Sequence, residues 1–214
     1  MQTSLTKNQL AFLSEATANP NIRPALSYIY YNPTTKKAVS TDSFRLHEIS
    51  IDLWPDRILW DSRGNIFTPS NPNDYKFPDY QNFFPSPEQA PLFPALIDID
   101  ILKSMDYHLK PYQYNSIINF STWHIRTNQK YVYNNVITLD IKQSFQRLCP
   151  PTSPAHDIGI NINYLYNALR YYDKPTKKAD TPVKVQSKNE LSALVVHWLI
   201  DNAPARSLIM PLKI

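Results

Sequence analysis

The side chains able to do chemistry are few and poorly spaced for it. Five histidines, at positions 47, 108, 124, 156 and 197, show no metal-ligand spacing. His47-Glu48 and His156-Asp157 are chain neighbours, and neighbours on a strand point to opposite faces, so neither pair easily holds one metal ion or one proton. Asp98, Asp100 and Asp106 suit a helix cap and a polar helix face better than a carboxylate metal site. Cys149, the one cysteine, lies in "RLCPP" with no base nearby and reads as a structural thiol. It excludes an internal disulfide and a Cys-rich zinc site, and fits a reducing compartment. Only two glycines, Gly64 and Gly159, are present. Every glycine-dependent phosphate loop is thereby excluded, P-loop and dinucleotide fingerprint included. No catalytic residue, metal ligand or cofactor is expected, and the "NFS" sequon at 119–121 means nothing in an unexported chain.

The bulk properties describe a folded protein with a mild positive balance. Of 214 residues, 43% are hydrophobic and 13% aromatic, against a formal charge of +4 without a block of five like charges. That balance permits a polyanionic partner without demanding one. "MQTSLTKNQ" lacks a signal pattern and "LSALVVHWLI" is too short to span a bilayer. A soluble cytoplasmic protein of one large or two small domains, with no membrane partner, is expected.

The elements repeat one order. In "SLTKNQLAFLSEATAN", Thr6 and Gln9 have capping-box spacing, with Leu10, Leu13 and Thr17 on one helical face and Pro20 as the stop. "ALSYIYYN", "KAVST" and "FRLHEISI" read as strands, the last with Phe44, Leu46 and Glu48 on one side. From Leu53 to Pro94 Pro, Asn, Asp and aromatics dominate; "RILWDSRGNIF" reads as a hairpin turning at Arg63-Gly64-Asn65, and "KFPDYQNFFPSPEQAP" as a connection. A second block gives a strand and helix in "ALIDIDILKSMDYHLK" and strands in "NSIINFS", "WHIRTN" and "YVYNNVITLDI". A third gives the strand "DIGINI", a helix in "NINYLYNALRYYDK" capped by Asn161 or Asn163, and strands in "PVKVQS", "LSALVVHWLI" and "RSLIMPLKI". Three strand-helix-strands units without obvious sequence identity form an architectural repeat.

Four stretches carry a family resemblance. "RPALSYIYYNPTTKKAVSTDSFRL", Arg23 to Leu46, resembles the segment of bacterial DNA sliding clamps, the DNA polymerase III beta subunit family, that leads into a T-D-G-H-R-L run. Thr41, Asp42, Arg45 and Leu46 match, while Ser43 and Phe44 replace Gly and His. "FPDYQNFFP" (77–85) resembles the F-P-D-Y crossing between domains, "IGININYLYNAL" (158–169) the opening of the last half-domain, and "LIMPLKI" (208–214) the ending V-M-P-M-R-L. The four occur in clamp order.

The resemblance implies an α+β clamp fold of repeated units with antiparallel sheets, in a shortened version of phage or mobile-element style. Residues 1–90 would form a truncated, middle-domain-like clamp domain and 91–214 a last-domain-like clamp domain. A competing alignment pairs the first two units and leaves the third as a half-domain. By position, a partner-peptide pocket would be lined by Thr41, Ser43, Phe44, Arg45, Leu46, Pro78, Asn82, Phe83, Leu208, Met210, Pro211 and Leu212. Met and Leu would give an adaptable floor, aromatics rigid contact area, and Arg45 a fork for a peptide carbonyl or carboxylate. The plainer alternative makes Phe44, Leu46 and Met210 strand core residues. Lys7, Lys103, Lys110, Arg170, Lys174, Lys177 and Lys178 would face DNA and contact phosphates without reading bases, or else be ordinary solvated cations.

The expected function is that of a sliding-clamp-like processivity factor in DNA replication, not an enzyme. Its partners would be double-stranded DNA, a polymerase or other proteins with clamp-binding motifs, and a clamp loader, with the chain acting as a homo-oligomer. The rivals are a monomeric adaptor or decoy that binds the same peptides without a ring, and a metal-dependent nuclease using Asp98 or Asp100.

Overall fold

The computed structural model describes residues 4–53, 58–67, 77–86, 88–90, 92–97, 115–119, 124–127, 157–171, 181–189 and 191–211. Two compact units interleave along the chain. Unit 1 holds the described residues of Met1–Asn82 with Tyr171 and His197–Leu208; unit 2 holds those of Phe83–Arg170, Lys174–Val196 and Ile209–Ile214.

Unit 1 begins with helix α1, Lys7–Ser14. Its capping box forms as the spacing predicts: the Thr6 hydroxyl accepts from the Gln9 amide at 3.2 Å, and Gln9 Oε1 accepts from the Thr6 amide at 3.0 Å. The buried stripe is Gln9, Phe12, Leu13 and Ala16, whereas Leu10 and Thr17 of the predicted face are only half-buried. The helix also stops well before Pro20. The Thr17 hydroxyl takes the Ser14 carbonyl at 2.8 Å, and the Ala18 amide, which a continuing helix would aim at that carbonyl, donates to Leu26 O at 2.9 Å.

Strands β1 (Ile29–Asn32), β2 (Lys37–Thr41) and β3 (Arg45–Ser50) form an antiparallel meander. β4 (Ile58–Trp60) pairs with β1 and with the short β5 (Ile66–Phe67). Phe44 lies in the loop before β3 rather than on it, which corrects its predicted place beside Leu46 and Glu48. The predicted hairpin around Gly64 is present: Asp61 Oδ1 accepts from the Arg63 and Asn65 amides, both at 2.9 Å.

Unit 2 contains β6 (Phe93–Ile97), β7 (Asn115–Asn119), β8 (His124–Thr127), β9 (Asp157–Asn161), helix α2 (Ile162–Leu169) and β10 (Thr181–Gln186). β11 (Leu194–Ile200) and β12 (Ala203–Ile209) are the last strands among the described residues, each contributing residues to both units. Asp201 and Asn202 join them in a two-residue turn with φ of 49° and 63°, the left-handed pair of a type I′ hairpin. In unit 1 the strand order is β5-β4-β1-β2-β3-β12-β11; in unit 2, β11-β10-β6 and β8-β7-β9. Asn161 rather than Asn163 caps α2, its side chain accepting from the Asn163 amide at 3.0 Å. The expected helix after β6, the strand "YVYNNVITLDI", and Asp98, Asp100, Asp106, His108, Cys149 and His156 lie outside the described residues. Among the described residues no helix is long and apolar enough to cross a membrane, and no three His, Cys, Asp or Glu side chains group to hold a metal.

Gly64 has φ of +86°, and a Cβ there would meet Leu10 Cδ2 at 2.7 Å. Gly64→Ala is expected to destabilise the protein by roughly 1–3 kcal/mol, measured by urea unfolding.

Candidate functional site

The loop between β2 and β3 is fixed by its own side chains. Thr41 Oγ1 donates to Arg45 O at 2.7 Å and accepts from the Ser43 amide at 3.1 Å. Asp42 Oδ1 accepts from the amides of Phe44 at 2.9 Å and Arg45 at 3.0 Å, while Oδ2 accepts from Arg45 Nε at 3.1 Å. Arg45 Nε is therefore committed within the loop. Ser43 sits at φ 81°, where a glycine would fit without strain. The Arg23 guanidinium holds this loop from outside: Nη1 donates to Asp42 O at 3.3 Å and to the Ser43 hydroxyl, and the group lies 5.9 Å from the Phe44 ring centroid.

This scaffold displays an apolar ring beside a cation. Phe44 is 57% exposed and Ile22, adjacent to exposed Arg23, is 75% exposed. Thr41 and Leu46 are buried beneath the display. Arg23 opens the stretch that resembles a clamp segment, yet the pocket read from sequence omits it; its contacts with Ser43 and Phe44 place it at the loop. The remaining predicted lining residues in unit 1 are exposed Pro78 and Asn82 and buried Leu208 on β12. Exposed Phe83 and Met210 and half-buried Pro211 belong to unit 2, and Leu212 lies outside the described residues. Of the predicted DNA-facing cations, Lys7 on α1 and Arg170 after α2 are exposed; Lys103, Lys110, Lys174, Lys177 and Lys178 lie outside the described residues.

The two faces of β3 differ in chemistry. On one, Leu46 is followed by Glu48, whose carboxylate is only 2% exposed. Arg206 Nε donates to Glu48 Oε1 at 2.6 Å and Nη2 to Oε2 at 3.1 Å; Lys37 Nζ lies 3.0 Å from Oε1, and the Tyr80 hydroxyl donates to Oε2 at 2.8 Å. Burial pushes the Glu48 pKa up, but these donors outweigh it, Arg206 foremost, and hold it below the usual carboxylate value. The stabilisation from Glu48 is thus present above its unfolded pKa and lost as pH falls through the depressed folded value. Burial and the neighbouring carboxylate push the Tyr80 hydroxyl far up, so it remains a donor.

On the opposite face, His47 is fully buried and stacked on Phe12, with ring centroids 4.2 Å apart. Its Nδ1 lies 2.6 Å from Phe12 O, an acceptor, and must therefore carry the proton. Nε2 has no hydrogen-bond partner among the described residues. Burial first, and Arg45 second, lower the His47 pKa to about 3.

Solved structures share this fold. The beta subunit of the Streptococcus pyogenes DNA polymerase matches with a TM-score of 0.69 at 14% identity, over 100% of this chain and 68% of that one. A sliding clamp of Pseudomonas aeruginosa bound to griselimycin matches at 0.64 and 18% identity, over 99% and 65%. The Helicobacter pylori beta clamp in complex with diflunisal matches at 0.65 and 10%, also over 99% and 65%. The chain has the bacterial sliding-clamp fold. No protein-family model and no curated protein matches it. The chain spans about 65% of the length of those first clamp structures.

Within this clamp fold, His47 gives a pH prediction. A folded-state pKa below the unfolded value means that the unfolded chain binds the proton, so stability falls as pH drops below about 6.5. Between pH 7.5 and pH 5 the His47 contribution is expected to cost about 2 kcal/mol. Urea unfolding at the two pH values should show this loss in the unaltered chain and a correspondingly smaller one in His47→Gln.

Proposed function

We propose that this chain is a shortened clamp-type platform in DNA replication, a binding protein rather than an enzyme, that captures partner peptides at the loop between β2 and β3. The observation that carries the reading is the rigid loop itself. The Thr41 and Asp42 side chains bond the Ser43, Phe44 and Arg45 amides and the Arg45 carbonyl, leaving Phe44 exposed with its ring centroid 5.9 Å from the Arg23 guanidinium, and exposed Ile22 precedes Arg23 in the chain. A preformed apolar surface next to a guanidinium suits a short peptide with aliphatic or aromatic anchors and a carbonyl or carboxylate. Pro78, Asn82 and Leu208 join this reading from unit 1. Phe83, Met210, Pro211 and Leu212 join it by the resemblance alone.

Phe44 where clamps carry His makes the surface more apolar and independent of imidazole titration. The rest of the assignment follows the clamp fold. Double-stranded DNA would be held without base readout through phosphate contacts by Lys7, Arg170 and the other predicted cations. Polymerase and other motif-bearing proteins, and a clamp loader, would be partners. The domain division at residue 90 belongs to the same proposal, as does a homo-oligomeric ring, whose head-to-tail contacts must close to encircle DNA.

A fluorescent peptide of the Q-L-x-L-F kind is expected to bind the intact chain saturably and Phe44→Asp at least about tenfold more weakly. Light-scattering mass on the same samples is expected to exceed one chain. Binding without assembly would indicate the ringless adaptor, and no binding by the intact chain would contradict the peptide reading.

A further inference from the structure

The segment Phe77–Asn82 in unit 1 carries two of the proposed lining residues, Pro78 and Asn82, and both are exposed together with Asp79 and Gln81. Side chains tie it to the sheet. Phe77 stacks on Tyr30 of β1, with centroids 5.5 Å apart and planes 8° apart, and meets Tyr80 edge-on at 5.7 Å. The Tyr80 hydroxyl reaches Glu48 Oε2 at 2.8 Å, and Arg206 Nη2, which also holds Glu48, donates to Gln81 Oε1 at 3.3 Å. One buried carboxylate thus joins β2 through Lys37, β3 through its own backbone, β12 through Arg206, and the exposed segment through Tyr80.

We infer that Glu48 is a positioning residue for the peptide site: through Tyr80 and Arg206 it latches Phe77–Asn82 onto the sheet and fixes where Pro78 and Asn82 are presented. This role rests on the proposed peptide-binding function. The carboxylate itself, almost wholly covered, touches no ligand; it acts through the tyrosine. Two features distinguish it from an ordinary ion pair. Arg206 and Lys37 already neutralise the charge, so the Tyr80 bond is an addition whose partner lies on a segment outside the strand ladder. The two residues the latch joins are 32 positions apart in the chain, so the bond is a long-range tie rather than a local turn contact.

Tyr80→Phe tests the latch because it removes one hydroxyl and leaves the ring against Phe77. Amide hydrogen exchange and peptide titration are measured on the unaltered chain and this variant. Expected are about tenfold faster exchange for Asp79–Asn82, unchanged exchange in β2 and β3, and about tenfold weaker binding of the Q-L-x-L-F peptide. Glu48→Gln, which keeps an acceptor for Tyr80, is expected to retain more of the segment's protection than Tyr80→Phe. Unchanged exchange in Tyr80→Phe, acceleration spread equally over β2 and β3, or full peptide affinity despite local acceleration would each overturn the inference. If the unaltered chain does not bind the peptide, the proposed function fails, and the positioning role in binding falls with it, whatever the exchange shows.

Discussion

A carboxylate that is 2% exposed cannot remain charged inside a sheet unless donors surround it, and Glu48 organises much of unit 1 through that requirement. Its position on β3 draws Arg206 from β12 and Lys37 from β2 to the same point, joining strands that are distant in sequence. Strand alternation then sends the next side chain, His47, to the opposite face, where it stacks on Phe12 of α1 and donates to that helix's backbone. One dipeptide therefore sets a polar tie on one side of the sheet and an aromatic contact on the other. Both grow weaker in acid for opposite reasons: the carboxylate gains a proton that its donors exclude, and the imidazole is asked to hold one in an apolar layer.

The loop before β3 follows a related logic. Its residues are short and polar because they must satisfy a reversing backbone: Thr41 and Asp42 accept or donate five bonds within the stretch from Thr41 to Arg45. That leaves Phe44 with no role in the core and directs it outward. Ser43 in a left-handed conformation stores strain, offset by the grip of Arg23 on its hydroxyl and on the neighbouring carbonyl. A loop held this firmly has little freedom left to lose on binding, which is what the proposed peptide capture requires.

Local signals made part of this legible in the sequence. The Thr6–Gln9 spacing located α1, strand alternation located β2 and β3, and Arg63-Gly64-Asn65 located a hairpin. The short motifs in clamp order pointed to a fold that the solved clamps share at only 10–18% identity. What stayed hidden depended on tertiary partners. The helix face was misassigned because Phe12 is drawn to His47, a residue 35 positions away. α1 ends early because Leu26 captures the Ala18 amide. Glu48 looked like an ordinary alternating polar residue, since nothing near it in sequence announces Arg206 or Tyr80. Arg23 gave a usable signal, its place at the head of the clamp-like segment, but the contact that matters is with a loop 20 residues on.

The most direct test of the proposal that this loop captures peptides is photo-cross-linking, with the peptide's aromatic residue replaced by a benzoyl-phenylalanine and the adducts mapped by mass spectrometry. Adducts on Ile22–Arg23 and on Thr41–Leu46, suppressed by excess unlabelled peptide, are the expected result. Competable adducts confined to other segments would contradict the account.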